Sequence, residues 1–153
     1  MGANRKKYAI EQCALYNLTT KRRLEEKLLL QSGELKGGMR GVTYRDFQIP
    51  KKSGSFRQVS EPNKRLKLVQ KRVLWLLSAV EKPDWVMSAT PGKCHKDNAV
   101  FHRSNAYMVT MDIESFYDKC ERERVYQFFK RKLRQPGDVA KALTDLSTYR
   151  QSI

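Results

Sequence analysis

Apolar residues recur every three or four positions in several stretches of the chain, which is the spacing of an amphipathic helix. The clearest stretch covers residues 64–80 and predicts a helix with an apolar face and a basic face. The predicted core positions are Leu66, Val69, Val73, Leu76, Leu77 and Val80. Lys64, Lys67 and Lys71 share the second face at helical spacing. They form either a solvated surface or a track for a nucleic-acid backbone.

Weaker helical patterns lie on both sides of this segment. They cover residues 8–16, residues 19–32, residues 97–102, residues 121–134 and the stretch after Asp138. Oxygen-bearing side chains predict the caps of three of these helices: Thr19 or Thr20, Asp97 and Asp138. Over residues 121–134 the pattern predicts apolar positions facing the core and basic positions facing solvent. The inward positions are Val125, Phe128, Phe129 and Leu133, and the outward ones are Arg122, Arg124, Lys130, Arg131 and Arg134.

Alternating patterns predict two β features. Residues 44–60 predict a β-hairpin, whose turn Lys51-Lys52-Ser53-Gly54 places two lysines at a mobile tip. Residues 107–111 predict a short strand that leads into Asp112. Residues 32–42 contain four glycines and predict a flexible connection, which is the best internal boundary of the chain.

Composition indicates a polyanionic partner. Lys and Arg number 31 against 16 Asp and Glu, a formal charge of +15 in 153 residues. Nucleic acid is the first candidate and an anionic membrane surface the second. The longest purely apolar run, residues 73–77, is too short to span a bilayer.

Cysteine usage indicates a reducing cytoplasm. The three cysteines are odd in number and far apart, which is typical of free thiols. Cys94, His95 and His102 could form a zinc site, but the chain has no C-x-x-C pair and ordinary packing is the preferred interpretation.

Asp112 is the candidate for chemistry. An aspartate at a strand end can hold a divalent metal, and metals promote phosphoryl transfer by neutralising charge on the reacting oxygens. Such an aspartate can also simply end the strand. The catalytic interpretation gains weight from the basic hairpin and helix upstream, in the order that a nucleotide-polymerising enzyme needs.

Three segments in this order resemble motifs of bacterial reverse transcriptases, the retron type especially. The first is similar to a fingers motif and reads Ile49-Pro50-Lys51-Lys52-Ser53-Gly54-Ser55-Phe56-Arg57, followed by Pro62, Leu66-Lys67 and Gln70. The second comprises Gly92, Asn98-Ala99 and His102. The third, residues 109–117, resembles motif A of the palm. The resemblance runs from about Tyr44 to Phe129.

The resemblance implies a role for each matching residue. Asp112 would bind Mg²⁺ as the first catalytic aspartate, and the backbone carbonyl of Ile113 would also touch the metal. Tyr117 would lie under the deoxynucleotide sugar and exclude a 2′-hydroxyl. Arg57, with Lys51 or Lys52, would close on the dNTP triphosphate. Lys64, Lys67 and Lys71 remain the predicted RNA-binding residues.

The implied fold is α+β: right-hand polymerase fingers and a partial palm, helix-rich, with a β-hairpin and the first palm strand. Residues 1–43 would be a helical N-terminal extension, residues 44–106 the fingers and residues 107–153 the start of the palm. No Tyr-x-Asp-Asp motif is present, and one aspartate cannot hold two metals. We therefore expect the N-terminal part of a polymerase that is truncated, split or represented only in part, and that is inactive alone.

The complete enzyme would be an RNA-directed DNA polymerase, a nucleotidyltransferase that copies a structured noncoding RNA into single-stranded DNA. The resemblance also implies anti-phage defence with an effector protein. We expect no membrane partner, because the longest apolar run is too short to span a bilayer. Two alternatives remain. Asp118 after Tyr117 also resembles motif A of group II intron-type reverse transcriptases, and a noncatalytic RNA-binding remnant would keep the same basic surface.

Overall fold

The computed structural model describes residues 6–39, 41–52, 54–88, 90 and 92–149, apart from the side chain of Asp118. These residues form a helix-rich structure with a two-stranded antiparallel sheet. The helices are α1 (Lys21–Leu28), α2 (Lys64–Leu77), α3 (His95–His102), α4 (Phe116–Lys119), α5 (Arg122–Gln127) and α6 (Gly137–Ser147). The strands are β1 (Tyr44–Pro50) and β2 (Phe56–Pro62). A 3₁₀ turn covers Ile10–Gln12, and a π-helical segment, Phe128–Lys132, follows α5 directly.

The predicted hairpin is confirmed. β1 and β2 pair in antiparallel register from Tyr44 opposite Pro62 to Pro50 opposite Phe56. The hairpin leads into α2 through Asn63, whose side-chain oxygen accepts the backbone N–H of Leu66 at 3.0 Å. This cap supplies an acceptor for an N–H group that would otherwise have no hydrogen-bond partner in the first turn of the helix.

The core lies between α1, α2 and α6. The predicted stripe of α2 is buried at Leu66, Val69, Val73 and Leu76. α6 packs against both α1 and α2 and buries Val139, Leu143 and Leu146. Each such side chain contributes roughly 1.5–3 kcal/mol through burial. The hairpin is therefore attached to a helical core through α2.

The first helical prediction, residues 8–16, is wrong except for the turn Ile10–Gln12. Tyr8 instead pairs its backbone with the chain after α2: its N–H donates to Ala79 at 3.1 Å, and its carbonyl accepts from Glu81 at 2.9 Å. These long-range bonds require an extended backbone at Tyr8. They also explain why α2 ends at Leu77 and not at Val80, which forms the bridge with Tyr8.

The glycine-rich connection is packed at its start. The carboxylate of Glu25, a buried side chain of α1, accepts the N–H groups of Gly33 at 2.9 Å and of Leu35 at 2.7 Å. Leu35 itself belongs to the core. The prediction of a flexible boundary over residues 32–42 is therefore wrong for its first four residues, because a buried acceptor fixes their backbone.

One of the three predicted helix caps is confirmed and two are wrong. Thr20 caps α1, since its hydroxyl oxygen accepts the N–H of Arg23 at 3.3 Å. Asp97 is in the first turn of α3 and accepts the N–H of Cys94 at 2.6 Å, so it is not the cap residue. Hydrogen bonds from Cys94 lower the pKa of the Asp97 carboxyl. Asp138 likewise lies inside α6, which begins at Gly137.

The helix predicted over residues 121–134 is divided into α5 and the π-helical segment. Phe129 and Leu133 are buried as predicted, but Phe128 keeps 40% of its surface exposed. Arg122, predicted outward, is partly buried and donates hydrogen bonds to Thr148, at 2.6 Å, and to Asp145. The change to π-helical bonding shifts the positions that follow Gln127, so an ideal α-helical wheel misplaces Phe128.

The predicted strand over residues 107–111 is wrong, because this stretch has no regular secondary structure. A strand requires a neighbour for its backbone groups, and the sheet of the described residues contains β1 and β2 only. Across the ranges given above, no helix is long and apolar enough to cross a membrane.

Candidate functional site

Asp112 lies in an irregular, exposed segment. The apolar side chains before it are unusually open, with Tyr107 92% exposed and Met111 88% exposed. Val109 and Ile113 are exposed as well. A row of large apolar residues in solvent marks a surface that is normally covered by another element. The segment thus carries the candidate catalytic carboxylate on backbone that lacks a neighbour within the described part of the chain.

Tyr117 is held on a helix that sequence analysis missed. Ser115 adopts a left-handed backbone, with φ of 52°, and the short helix α4 begins at the next residue. Tyr117 is 60% exposed and packs edge-on against Phe116, with ring centroids 5.4 Å apart. Left-handed backbone at a residue other than glycine is uncommon, and here it marks the turn at which α4 begins.

The described residues do not form a complete magnesium site. Mg²⁺ requires near-octahedral oxygen coordination. Asp112 offers one carboxylate and Ile113 one carbonyl, whereas the carboxylate of Glu114 pairs with Lys119 at 3.2 Å. Nowhere in the described ranges do three or more Asp, Glu, His or Cys side chains gather closely enough to hold a metal ion. Asp112 and Ile113 fit only as part of a larger ligand set.

The hairpin tip places its cations in solvent. Lys51, Lys52 and Arg57 are all exposed, and Arg57 lies opposite Ile49 in the register. The turn is closed by two backbone bonds, from Lys51 to Ser55 at 2.7 Å and from Gly54 to Lys51 at 3.0 Å. Ser53, the remaining turn residue of the prediction, lies outside the described residues. The tip is a compact cationic end that an anion can approach freely.

The hairpin tip and Asp112 remain two separate parts. In the described ranges, no hydrogen bond or ion pair joins Lys51, Lys52 or Arg57 to Asp112 or Tyr117. The structure therefore does not bring the two parts of the predicted dNTP site into contact.

The basic face of α2 is less uniform than its sequence indicates. Lys64, Lys67 and Lys71 are exposed, but the ammonium of Lys67 lies 2.7 Å from the carboxylate of Glu61. Arg45 contacts the same carboxylate at 2.9 Å. Hydrogen bonds from Lys67 and then Arg45 lower the pKa of Glu61. Lys67 is thus partly neutralised within the protein.

This ion pair network was missed by sequence analysis. Arg45 and Glu61 are direct cross-strand partners, and opposite charges at such positions attract each other. The pairing of Arg45 with Glu61 follows from the hairpin register, and the sequence alone does not fix that register. The network borders a cavity of about 280 Å³ at the base of the hairpin, lined also by Asn63, Lys64 and Lys67.

Comparisons with known proteins give three similar relatives. Retron Se72 reverse transcriptase of Salmonella heidelberg (strain 579083-10) is 27% identical over 114 residues, which is 73% of this chain and 30% of that protein. Retron Ec83 reverse transcriptase of Escherichia coli is 29% identical over 98 residues, 63% of this chain and 30% of that protein. Retron Mx65 reverse transcriptase of Myxococcus xanthus is 31% identical over 83 residues, 54% of this chain and 19% of that protein.

The matches are therefore partial, and the chain spans less than a third of the length of these relatives. No family model and no solved structure matches the chain. The motifs and the comparisons nevertheless agree on one group of proteins. The recognition made from the motifs is confirmed as a similarity: the chain resembles retron reverse transcriptases over 54% to 73% of its length.

Proposed function

We propose that this chain forms the fingers and the start of the palm of a retron-like reverse transcriptase. The observation that carries the proposal is the order of three motifs, ending in residues 109–117, within a chain similar to three retron reverse transcriptases. The complete polymerase would copy a structured noncoding RNA into single-stranded DNA from dNTPs, in anti-phage defence.

The two parts of the site have complementary tasks in this proposal. Asp112 and the carbonyl of Ile113 contribute oxygen ligands to a magnesium site whose other ligands lie outside the described residues. Lys51 or Lys52, with Arg57, neutralises the triphosphate, since a negatively charged substrate requires cations at short range. The exposed hairpin tip has the freedom to close over a nucleotide.

The proposed partners follow from the partial span of the relatives. The remainder of the polymerase, in the same or a second chain, would cover the exposed residues 107–113 and complete the palm. The RNA template and the RNA/DNA hybrid would lie along the basic surface, and a defence effector protein is a further proposed partner. We expect no polymerase activity from this chain alone, because its sequence has no Tyr-x-Asp-Asp motif to supply the further metal-binding aspartates. The three free cysteines favour a cytoplasmic location.

The test of this function is incorporation of dNTPs on an RNA template by the complete polymerase, with and without Asp112. Metal-dependent incorporation that requires Asp112 supports the proposal. RNA binding without incorporation, once the remainder of the polymerase is present, would make the chain a noncatalytic RNA-binding module.

Replacing α2 lysines should weaken RNA binding unequally. Lys64→Ala and Lys71→Ala each remove a phosphate contact, so the slope of log affinity against log salt should become shallower by about 0.7–0.9 per residue. Lys67→Ala should change the slope by less, because Glu61 already neutralises that ammonium. Fluorescence anisotropy with labelled RNA at several salt concentrations measures the slopes. Equal slopes in all three variants and the wild type would make α2 a solvated face.

Replacing Tyr117 should relax sugar selection. Tyr117→Ala opens the space where a 2′-hydroxyl would lie, so ribonucleotide incorporation should rise relative to deoxynucleotide incorporation by about tenfold or more. Phe116→Ala is the control, since that half-exposed neighbouring ring contacts Tyr117 but the resemblance assigns it no role in the dNTP site. Primer extension with each nucleotide class in competition gives the ratio. If the ratio of ribonucleotide to deoxynucleotide incorporation rose only in the Phe116 variant, the sugar contact would be assigned to Phe116 and not to Tyr117.

A further inference from the structure

Four cations stand within five residues at the end of the π-helical segment. Lys130, Arg131, Lys132 and Arg134 are exposed, whereas Leu133 between them is fully buried. Together these four residues are the 130–134 cation cluster. π-helical turns are rare and are frequently found at functional sites. The cluster lies on a different element from the hairpin tip and from the lysines of α2.

The backbone under the cluster is fixed by long-range contacts. The carbonyl of Leu133 accepts the N–H of Asn17 at 2.8 Å and the buried side-chain amide of Gln135 at 3.3 Å. The same Gln135 amide donates to the carbonyl of Leu15. Asn17 and Arg134 both adopt left-handed backbone, with φ of 50° and 51°. A rigid backbone loses little conformational entropy when a ligand binds, and left-handed backbone at an arginine is uncommon.

The cluster has no internal counter-charge. The ion pairs of the described residues include none with these four cations. Arg134 lies over the ring of Tyr16, 6.0 Å from its centroid, and this partner is not an anion. On α2, by contrast, Arg65 pairs with Glu34 and Lys67 with Glu61. An anion bound from outside would reduce the mutual repulsion of the clustered cations.

We propose that the 130–134 cation cluster is a second RNA-binding surface, which holds consecutive phosphates of the RNA backbone without reading its sequence. A nucleic acid fits better than a membrane, because the π-helical segment, Phe128–Lys132, is too short to lay an apolar face into lipid. Phe128, beside the cluster, exposes an aromatic surface of the kind that stacks with unpaired bases. The inference rests on the proposed function only for the identity of the nucleic acid as RNA.

The test compares two charge-matched triple variants of the complete polymerase. Lys130→Gln/Arg131→Gln/Lys132→Gln removes three charges from the cluster, and Lys36→Gln/Lys93→Gln/Lys96→Gln removes three exposed charges elsewhere. Binding of a fluorescent RNA stem-loop is measured between about 50 and 200 mM salt. The cluster variant should flatten the log–log slope by about 2–3. The affinity of the wild type should therefore fall about 16- to 64-fold more than that of the variant over this salt range. The control should leave the slope near that of wild type.

A single variant separates charge from folding. Arg134→Asn keeps a residue that tolerates left-handed backbone and should flatten the slope by about 1 at unchanged thermal stability. Equal slopes in the cluster variant and the control would overturn the proposal. So would binding to phosphatidylserine vesicles that depends on the cluster while RNA binding does not. Those results would leave Asp112-dependent incorporation intact, whereas a polymerase that binds no RNA would overturn this inference and the proposed function together.

Discussion

Changing Asp112 to alanine is expected to lower dNTP incorporation by the complete polymerase by about 10³-fold or more. In the proposed function, this carboxylate is, with the carbonyl of Ile113, an oxygen ligand of the magnesium site beside the reacting phosphates. Its loss removes charge stabilisation that is needed in the transition state. RNA affinity should change by less than about twofold, because Asp112 is exposed and separate from the basic surfaces. Primer extension and RNA anisotropy on the same preparations give both numbers.

The matched control for this change is Asp84→Ala, which removes an exposed aspartate from a turn outside the motifs. It should leave incorporation and RNA affinity at wild-type values. Two results would contradict the assignment of Asp112: incorporation that survives Asp112→Ala, or RNA binding that falls in parallel with incorporation. The second result would indicate that Asp112 shapes the RNA surface and does not act in the chemistry.

The hairpin and α2 could be predicted because their stabilising contacts are local or repeat along the sequence. A helix satisfies its own backbone, and the apolar stripe from Leu66 to Leu76 identifies the side that must be buried. A two-residue alternation with a glycine-containing turn likewise specifies β1 and β2. In both cases the backbone hydrogen-bonding partners lie in the same continuous stretch of sequence as the pattern.

The irregular backbone before Asp112 could not be predicted from the same reasoning. Residues 107–111 have the composition of a strand, but a strand forms only beside another strand, and composition does not say whether that neighbour is present. The helix predicted at Tyr8 is wrong for a related reason, since the backbone partners of Tyr8 lie about seventy residues away at Ala79 and Glu81. The candidate site likewise contains residues that the sequence identifies and contacts that it does not. Motif residues could be named from the sequence, whereas the pairing of Lys67 with Glu61 depends on register.

Glu25 is the buried residue whose role sequence analysis missed, and its replacement should destabilise the fold strongly. The side chain is only 3% exposed, and its two oxygens accept the N–H groups of Gly33 and Leu35. Glu25→Ala leaves both donors without an acceptor, and each buried unsatisfied donor costs about 1–3 kcal/mol. We therefore expect the free energy of unfolding to fall by about 2–4 kcal/mol, measured by urea denaturation of the chain.

Two companion variants determine whether this loss comes from the buried hydrogen bonds. Glu25→Gln retains one acceptor oxygen and should lose about half as much stability as the alanine variant. Glu26→Ala removes the adjacent carboxylate, which is exposed and pairs with Arg22 at 3.6 Å, so it should cost less than about 1 kcal/mol. Hydrogen exchange should also accelerate at Gly33 and Leu35 in Glu25→Ala alone. If Glu26→Ala lowered the free energy of unfolding as much as Glu25→Ala does, the loss of stability would come from removing a negative charge from α1. The backbone after it would then be ordered by the burial of Leu35 and not by Glu25.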